Sequence, residues 1–314
     1  MRAIVVNPDH SLSVADVPPP PLGARDLRID VRATAVNRAD LLQRAGKYPP
    51  PPGASEILGL ECAGVVSDVG AEVSEWRVGD RAMALLAGGG YAEDVVVDAG
   101  SAMHVPDQLS DEEAAAVPEV FLTAFLNLFL LARLQEGESV LIHGGGSGVG
   151  TAATTLAKLA EARVLVTAGS AEKCAQCLAH GADVAINYRE EDFVEKARGV
   201  NVILDHIGAR YLPRDLEALA TGGRIVVIGS MGGERVAEVD VVKLLGKRAQ
   251  IIGSTLRSRS VEDKAAIVAA FVERFASRVK PVVHAVLPLE RAEEAHRMMA
   301  SSEHFGKIVL SVAR

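Results

Sequence analysis

Eight residues, His143 to Gly150 (HGGGSGVG), contain five glycines and follow directly on the apolar run SVLI. Glycine gives up more conformational freedom on folding than any other residue. A bare backbone there has two uses. It lets a helix pack tightly on a strand, and it lets peptide N–H groups approach a phosphate. Gly145, Ser147 and Gly150 fill the three slots of a G-x-G-x-x-G pattern, with serine in the middle slot. Gly148 adds a further bare backbone, and Val149 beside it belongs with the same candidate cofactor contacts. Strand before, helix after and more such pairs beyond point to a dinucleotide's pyrophosphate.

The second strand of that series tells which dinucleotide. An NAD site usually carries Asp or Glu about 20 residues on, to bind the ribose 2′-hydroxyl. Here the strand ends as RVLVTAGSAEKC, with no acid before Glu172. Ser170 and Lys173 stand where a 2′-phosphate would lie, and a hydroxyl and an ammonium suit it. Ser170 is also placed to cap the next helix, which is compatible with that contact. The residues favour NADPH.

The elements that must hold these groups divide the chain. A length of 314 residues suggests two domains. Up to about Val117, short strand candidates alternate with Gly and Pro. The segment YPPPPGAS (48–55) is a stiff, extended loop, because four prolines in a row fit neither sheet nor helix. From about Pro118 to Ser254, six strand-like runs alternate with helix-like ones. Their continuous β-branched character suits strands buried on both faces of a parallel, doubly wound sheet. Ser260 is placed to cap an amphipathic helix in the tail.

Bulk properties narrow the class. Aromatics are 4% while hydrophobic residues are 49%, so the core is mostly aliphatic. A net charge of −8 and a pI of about 5.6 argue against a nucleic-acid or anionic-membrane surface. The start lacks a signal peptide's apolar core. The most apolar run, Val120 to Ala132, spans 13 residues, too short for a bilayer, and reads as a buried helix. Three cysteines make no disulfide framework, and a reducing cytoplasm is the simplest setting. Cys174 and Cys177 share a helix face and read as packing, as does Cys62.

A set of ordered words covers nearly the whole chain: AVNRADLLQRAGKYPPPPGASEILGLECAGVV, WRVGDRAMAL, GGYAE, HGGGSGVG, TAGSAEK, INYREEDF, IGSMGG, GSTLRSR and GKIVL. It resembles the zinc-free quinone oxidoreductases, the zeta-crystallin-like group of the medium-chain dehydrogenase/reductase superfamily. The resemblance implies an α/β protein. A GroES-like β-barrel catalytic domain (1–117 and 256–314) would accompany a Rossmann dinucleotide-binding domain (118–255). Zinc relatives place Cys where this chain has Asn37, and Gly-His-Glu where it has Gly59-Leu60-Glu61. Leu60 cannot ligate a metal and Asn37 replaces a thiolate poorly, so no metal is expected.

Without a Lewis acid, hydride transfer to an already electron-poor quinone is the easier chemistry. The resemblance puts Asn37 and Tyr48 near the acceptor as catalytic candidates. Tyr48 could donate its phenolic hydrogen, or merely cap the proline loop, and Asn37 could be a structural amide. Asp40 reads as a turn or salt-bridge residue. Matched words make Thr123, Tyr188, Gly229, Ser230, Leu256 and Lys307 cofactor contacts, with Leu256 and Lys307 closing the nicotinamide end. Asp205 and His206 read as structural, since no G-x-S-x-G serine accompanies them. The implied function is NADPH-dependent reduction of a quinone or enone by a homodimer, paired through the AQIIGST edge strand. Two alternatives stay open. One is an enoyl-thioester or other activated-alkene reductase, although only Arg38, Arg44 and Lys47 lie close to Tyr48 as a basic flank. The other is a non-catalytic NADPH- or RNA-binding relative, against whose RNA role the acidic balance weighs.

Overall fold

The structure, a computed structural model, describes residues 1–313. Contacts divide the chain into two units. A barrel unit comprises Met1–Leu122 and the chain from Arg257 onward, and a second unit spans Thr123–Leu256. The first division falls inside the helix Pro118–Phe125. It lies five residues beyond the 117/118 limit read from the sequence.

In the barrel unit, seven strands form one sheet. Its path runs Val283–Pro288, Lys307–Ser311, Asp26–Val36, Glu61–Val69, Arg81–Leu85 and Ala102–His104, with Asp94–Asp98 also pairing onto Asp26–Val36. The long strand Asp26–Val36 organises the rest. Along its first half Leu27, Ile29 and Val31 are fully buried and their neighbours are not, the period-two pattern of one inward face. The returning C-terminal strand pairs with it antiparallel, Val309 opposite Ala35. That return carries Lys307 into the barrel unit.

The second unit is a six-stranded parallel sheet in the order Val184–Asn187, Arg163–Ala168, Ser139–Ile142, Val200–Asp205, Leu219–Val227, Gln250–Gly253. Helices connect the strands, giving the doubly wound Rossmann pattern. The direction of winding changes between Ser139–Ile142 and Val200–Asp205, where ligands bind at the carboxyl ends of such strands. The inner strands are buried almost throughout, as continuous apolar runs require.

Two elements depart from the sequence expectation. The apolar run reads as one buried helix. In the structure it is the α-helix Pro118–Phe125 followed by a wider π-helical turn, Leu126–Leu131. The Ala132 N–H bonds the Asn127 carbonyl five residues back, and the Asn127 amide donates to the Thr123 carbonyl. The strand Gln250–Gly253 is not buried, because it ends the sheet and has a neighbour on one side only.

Candidate functional site

The Rossmann unit holds the glycine loop between Ser139–Ile142 and the helix Gly148–Leu159. Ser147 caps this helix, its Oγ accepting the Gly150 N–H at 3.0 Å. The serine in the middle slot therefore does the work of a helix cap. Gly145 donates its own N–H to the Thr167 carbonyl at 2.9 Å. The amides of Gly145 and Gly150, expected on the cofactor, are thus already engaged within the protein. What these glycines provide is closeness. A Cβ on Gly150 would lie 2.3 Å from the Gly144 oxygen, and one on Gly145 would lie 2.6 Å from Val166 Cβ. The amides left for an anion are those of the first helical turn, Gly148 and Val149, which no intrahelical carbonyl can reach.

Beneath the loop lies a buried network that sequence reading does not find. Thr167 Oγ1 accepts the Gly144 N–H at 3.2 Å and lies 3.1 Å from His143 Nδ1. His143 Nε2 lies 2.8 Å from Asp215 Oδ1. A carboxylate oxygen accepts, so Nε2–H donates to Asp215, while Thr167 Oγ1 can pair with Nδ1 in either sense. The carboxylate of Asp205 accepts the N–H groups of Ile207 and Gly208, the structural turn role expected of it. Burial and Asp215 push it up to about 6, against the pull of His143. The His206 ring packs under Gly144, whose φ is +64°.

At the end of Arg163–Ala168, Ser170 caps the helix Ala171–Ala179 by accepting the Lys173 N–H at 3.2 Å. No carboxylate ends that strand. The Tyr188 ring is exposed and its hydroxyl lies over Gly169, where a Cβ would come within 2.8 Å of it. Ser170 and the Tyr188 hydroxyl thus lie at one strand end, with Lys173 in the first turn of the helix that follows. Gly229 packs on the His206 backbone, and Ser230 is exposed and donates to the Glu234 carbonyl. Thr123 is half-buried in this unit and Leu256 is buried. Cys174 and Cys177 are buried free thiols, with Cys177 Sγ against Gly145. Bare amides, two crowded glycines and an acid-free strand end fit a dinucleotide phosphate.

The barrel unit gathers three carboxylates around one ammonium. Lys307 is 2% exposed, and its Nζ donates to Glu61 Oε1 at 2.7 Å, Asn37 Oδ1 at 2.6 Å and the Val36 carbonyl at 3.1 Å. Its three N–H groups are all used within the barrel unit, which leaves the ammonium no further donor for the cofactor contact read from the sequence. Asn37 is likewise redirected. Its Nδ2 donates to Glu61 Oε1 at 2.8 Å while its Oδ1 accepts from Lys307. The amide braces a buried charge pair that is itself in direct contact, bonding one partner through each end. Leu60 is a core side chain, 1% exposed.

Asp40 caps its own helix start. It accepts the Asn37 N–H at 2.7 Å, the Gly59 N–H at 3.1 Å and the Tyr91 hydroxyl at 3.3 Å. Gly59 has φ +103°, and a Cβ there would meet Gly90 and Tyr91 at 2.7 Å. Burial pushes Asp40 up to about 6, although the two backbone N–H groups pull the other way. Glu119 is the third acid. Its N–H donates to Glu61 Oε2 at 2.8 Å, while its own Oε2 is shut off from solvent without a partner. Burial, then Glu61, pushes it up to about 8, and Lys307 opposes. The first turn of Pro118–Phe125 favours charge there by only about 0.3–1 kcal/mol, so burial wins.

Tyr48 is half-buried beside these groups. The Arg257 guanidinium lies 5.2 Å from its ring centroid and is anchored on the Ala87 carbonyl and Gln43 Oε1. Burial, then Glu119, raises the phenol above its usual range, so it keeps its proton at neutral pH. Sequence reading misses Glu61, Glu119 and Arg257. The one local signal was an acid behind a proline at the head of a long apolar run, VPEVFLTAFL.

Comparison with known proteins places the fold in a family. Residues 23–107 match the alcohol dehydrogenase GroES-like domain, and residues 148–273 match the zinc-binding dehydrogenase domain. A quinone oxidoreductase of Rattus norvegicus is 34% identical, over 99% of this chain and 97% of its own length. The Thermus thermophilus quinone oxidoreductase, solved also with NADPH, superposes with a TM-score of 0.83 at 32% identity, covering 99% of this chain and all of that one. The CurK enoyl reductase superposes with a TM-score of 0.86 at 28% identity, covering 99% of each chain. Fold, nicotinamide cradle and full-length likeness together make the chain a nicotinamide-dependent oxidoreductase of the zeta-crystallin-like quinone oxidoreductase family, within the medium-chain dehydrogenases/reductases.

Proposed function

We propose that this protein is an NADPH:quinone oxidoreductase that works without zinc. The observation that supports the cofactor choice is the acid-free strand end, where Ser170 and the Tyr188 hydroxyl lie and Lys173 stands in the next helical turn. A carboxylate there would repel a 2′-phosphate, whereas a hydroxyl and an ammonium bind it. Gly148 and Val149 hold the diphosphate through their free amides, and Thr123, Gly229, Ser230 and Leu256 belong to the same binding surface. When bound, the dinucleotide supplies a hydride to the acceptor.

The barrel unit supplies the remaining groups. Tyr48 donates a hydrogen bond to the oxygen on which negative charge develops. Lys307 and Asn37 hold Glu61 in place and touch neither cofactor nor acceptor. Zinc independence is supported by the same residues. Leu60 offers no donor atom, and the Asn37 oxygen and Glu61 Oε1 are both bound to the Lys307 ammonium. The domain limits are those of the two units, and the free thiols fit a reducing cytoplasm. A homodimer through the Rossmann-unit edge is supported by the strand Gln250–Gly253 and by exposed Val241, Val242 and Leu245 on the helix Val241–Lys247.

The test is NADPH oxidation against a panel of quinones and 2-enoyl thioesters, with and without a chelator. Turnover favouring quinones and indifferent to the chelator is expected. Preference for enoyl thioesters transfers the assignment to the reductase reading, which the likeness to CurK favours. NADPH binding with no turnover on either class refutes both in favour of a binding protein.

A further inference from the structure

Three carboxylates in the barrel unit compete for few donors. Glu61 holds Lys307, the Asn37 amide and the Glu119 N–H. Asp40 holds two backbone N–H groups and the Tyr91 hydroxyl. The sole ammonium bonded within the cluster is fully used. Glu119 Oε2 is buried with no donor. An ionised carboxylate wants several donors, and a third negative charge beside two is the least favourable to place. The cluster therefore keeps a proton, and it sits on half-buried Glu119, whose Oε2 is the one carboxylate oxygen of the three acids that is buried without a donor.

We propose that neutral Glu119 is the proton donor of the reduction, giving its O–H hydrogen to the acceptor as that takes up the hydride. The proposal rests on the reading above. For a quinone the balance is one hydride, carrying two electrons, and one proton. The Glu119 O–H bond breaks, an O–H bond forms on the acceptor, and the carboxylate is reprotonated from water. An enone balances in the same way, with protonation of the enolate. Tyr48 keeps its proton and contributes a hydrogen bond.

The groups facing Glu119 set the pH at which this works. Glu61 from its strand and Asp40 from the helix Arg38–Arg44 favour the neutral form. Lys307 and Arg257 oppose them. Tyr48 and the buried Lys264, on the helix Val261–Arg274, both feel the Glu119 charge. The balance leaves Glu119 protonated up to about pH 8.

The test compares wild type with Glu119→Gln and Glu119→Asp. Readouts are kcat from pH 5.5 to 9.5, NADPH affinity by fluorescence titration, and the carboxyl C=O band in the infrared. Wild-type kcat should fall above about pH 8, roughly tenfold per pH unit. Glu119→Gln should lower kcat at pH 7 by about 100-fold, with unchanged NADPH affinity and no high-pH decline. Glu119→Asp should recover part of the rate and the decline. The infrared band should be present at pH 7 in wild type, weaken above pH 8 and be missing in Glu119→Gln. A Glu119→Gln variant retaining half the wild-type kcat overturns the proposal alone, as does a band absent at pH 7. Wild type that binds NADPH but turns over no quinone or enone overturns the functional reading, and this proposal with it.

Discussion

Lys307→Met makes the most direct probe of the barrel-unit site. The substitution removes an ammonium that is 2% exposed and leaves a fully buried Glu61 carboxylate without its partner at 2.7 Å. The Asn37 and Val36 oxygens also lose a donor. Breaking a buried pair from one side costs about 3–5 kcal/mol, because the remaining charge stays buried and uncompensated. The chain's single tryptophan, Trp76, is buried in this unit and stacked on His104 at 3.9 Å, so its fluorescence follows barrel unfolding. With a urea slope of about 2 kcal/mol per molar, the midpoint should drop by about 1.5–2.5 M. The double variant Glu61→Gln with Lys307→Met removes both charges. Only the unpaired Asn37 and Val36 oxygens then remain, at about 1 kcal/mol each. The double variant should therefore recover about a third to three-fifths of the loss. A single-variant shift below about 0.5 M, or a double variant no better than the single, would refute the claim that an ion pair holds this site.

Other outcomes follow from the same geometry. Ser170→Asp should weaken NADPH binding about 10- to 100-fold and leave NADH nearly unchanged, since one charge-assisted bond of about 1.5–3 kcal/mol becomes a repulsion. Equal effects on both cofactors would remove the basis of the phosphate assignment. Tyr48→Phe should lower kcat by about tenfold or more with NADPH affinity intact, because one donor to the developing oxyanion is lost. Unchanged turnover would leave Tyr48 as packing for the proline loop. Leu245→Asp places a charge on a side chain that is 70% exposed in the single chain. Sedimentation should then show a shift from dimer to monomer, and an unaltered dimer would locate the interface elsewhere.

Much of the cofactor half was legible in the chain itself. The βα alternation is local, and each strand-turn-helix carries its own signals. Ser147, Ser170 and Ser260 all cap helices through a backbone N–H three residues ahead. Even the proposal of NADPH over NADH rests on one missing acid at a strand end. Those features are short-range consequences of hydrogen bonding and periodicity, so reading along the sequence reaches them. What that reading does not show is that the turn engages the amides of Gly145 and Gly150 internally.

The barrel-unit site is of another kind. Glu61 and Lys307 are 246 residues apart, and Glu119 meets Glu61 across 58. Nothing in the spacing of Asn37, Asp40, Glu61, Glu119 and Lys307 marks them as neighbours. They meet because the C-terminal strand returns to pair with Asp26–Val36 and carries its lysine inward. Whether a carboxyl is charged depends on the donors and charges around it, and those are set by which strands lie side by side. The sequence by itself determined the sheet and the nicotinamide cradle. Only the folded barrel decided which acid is left holding a proton.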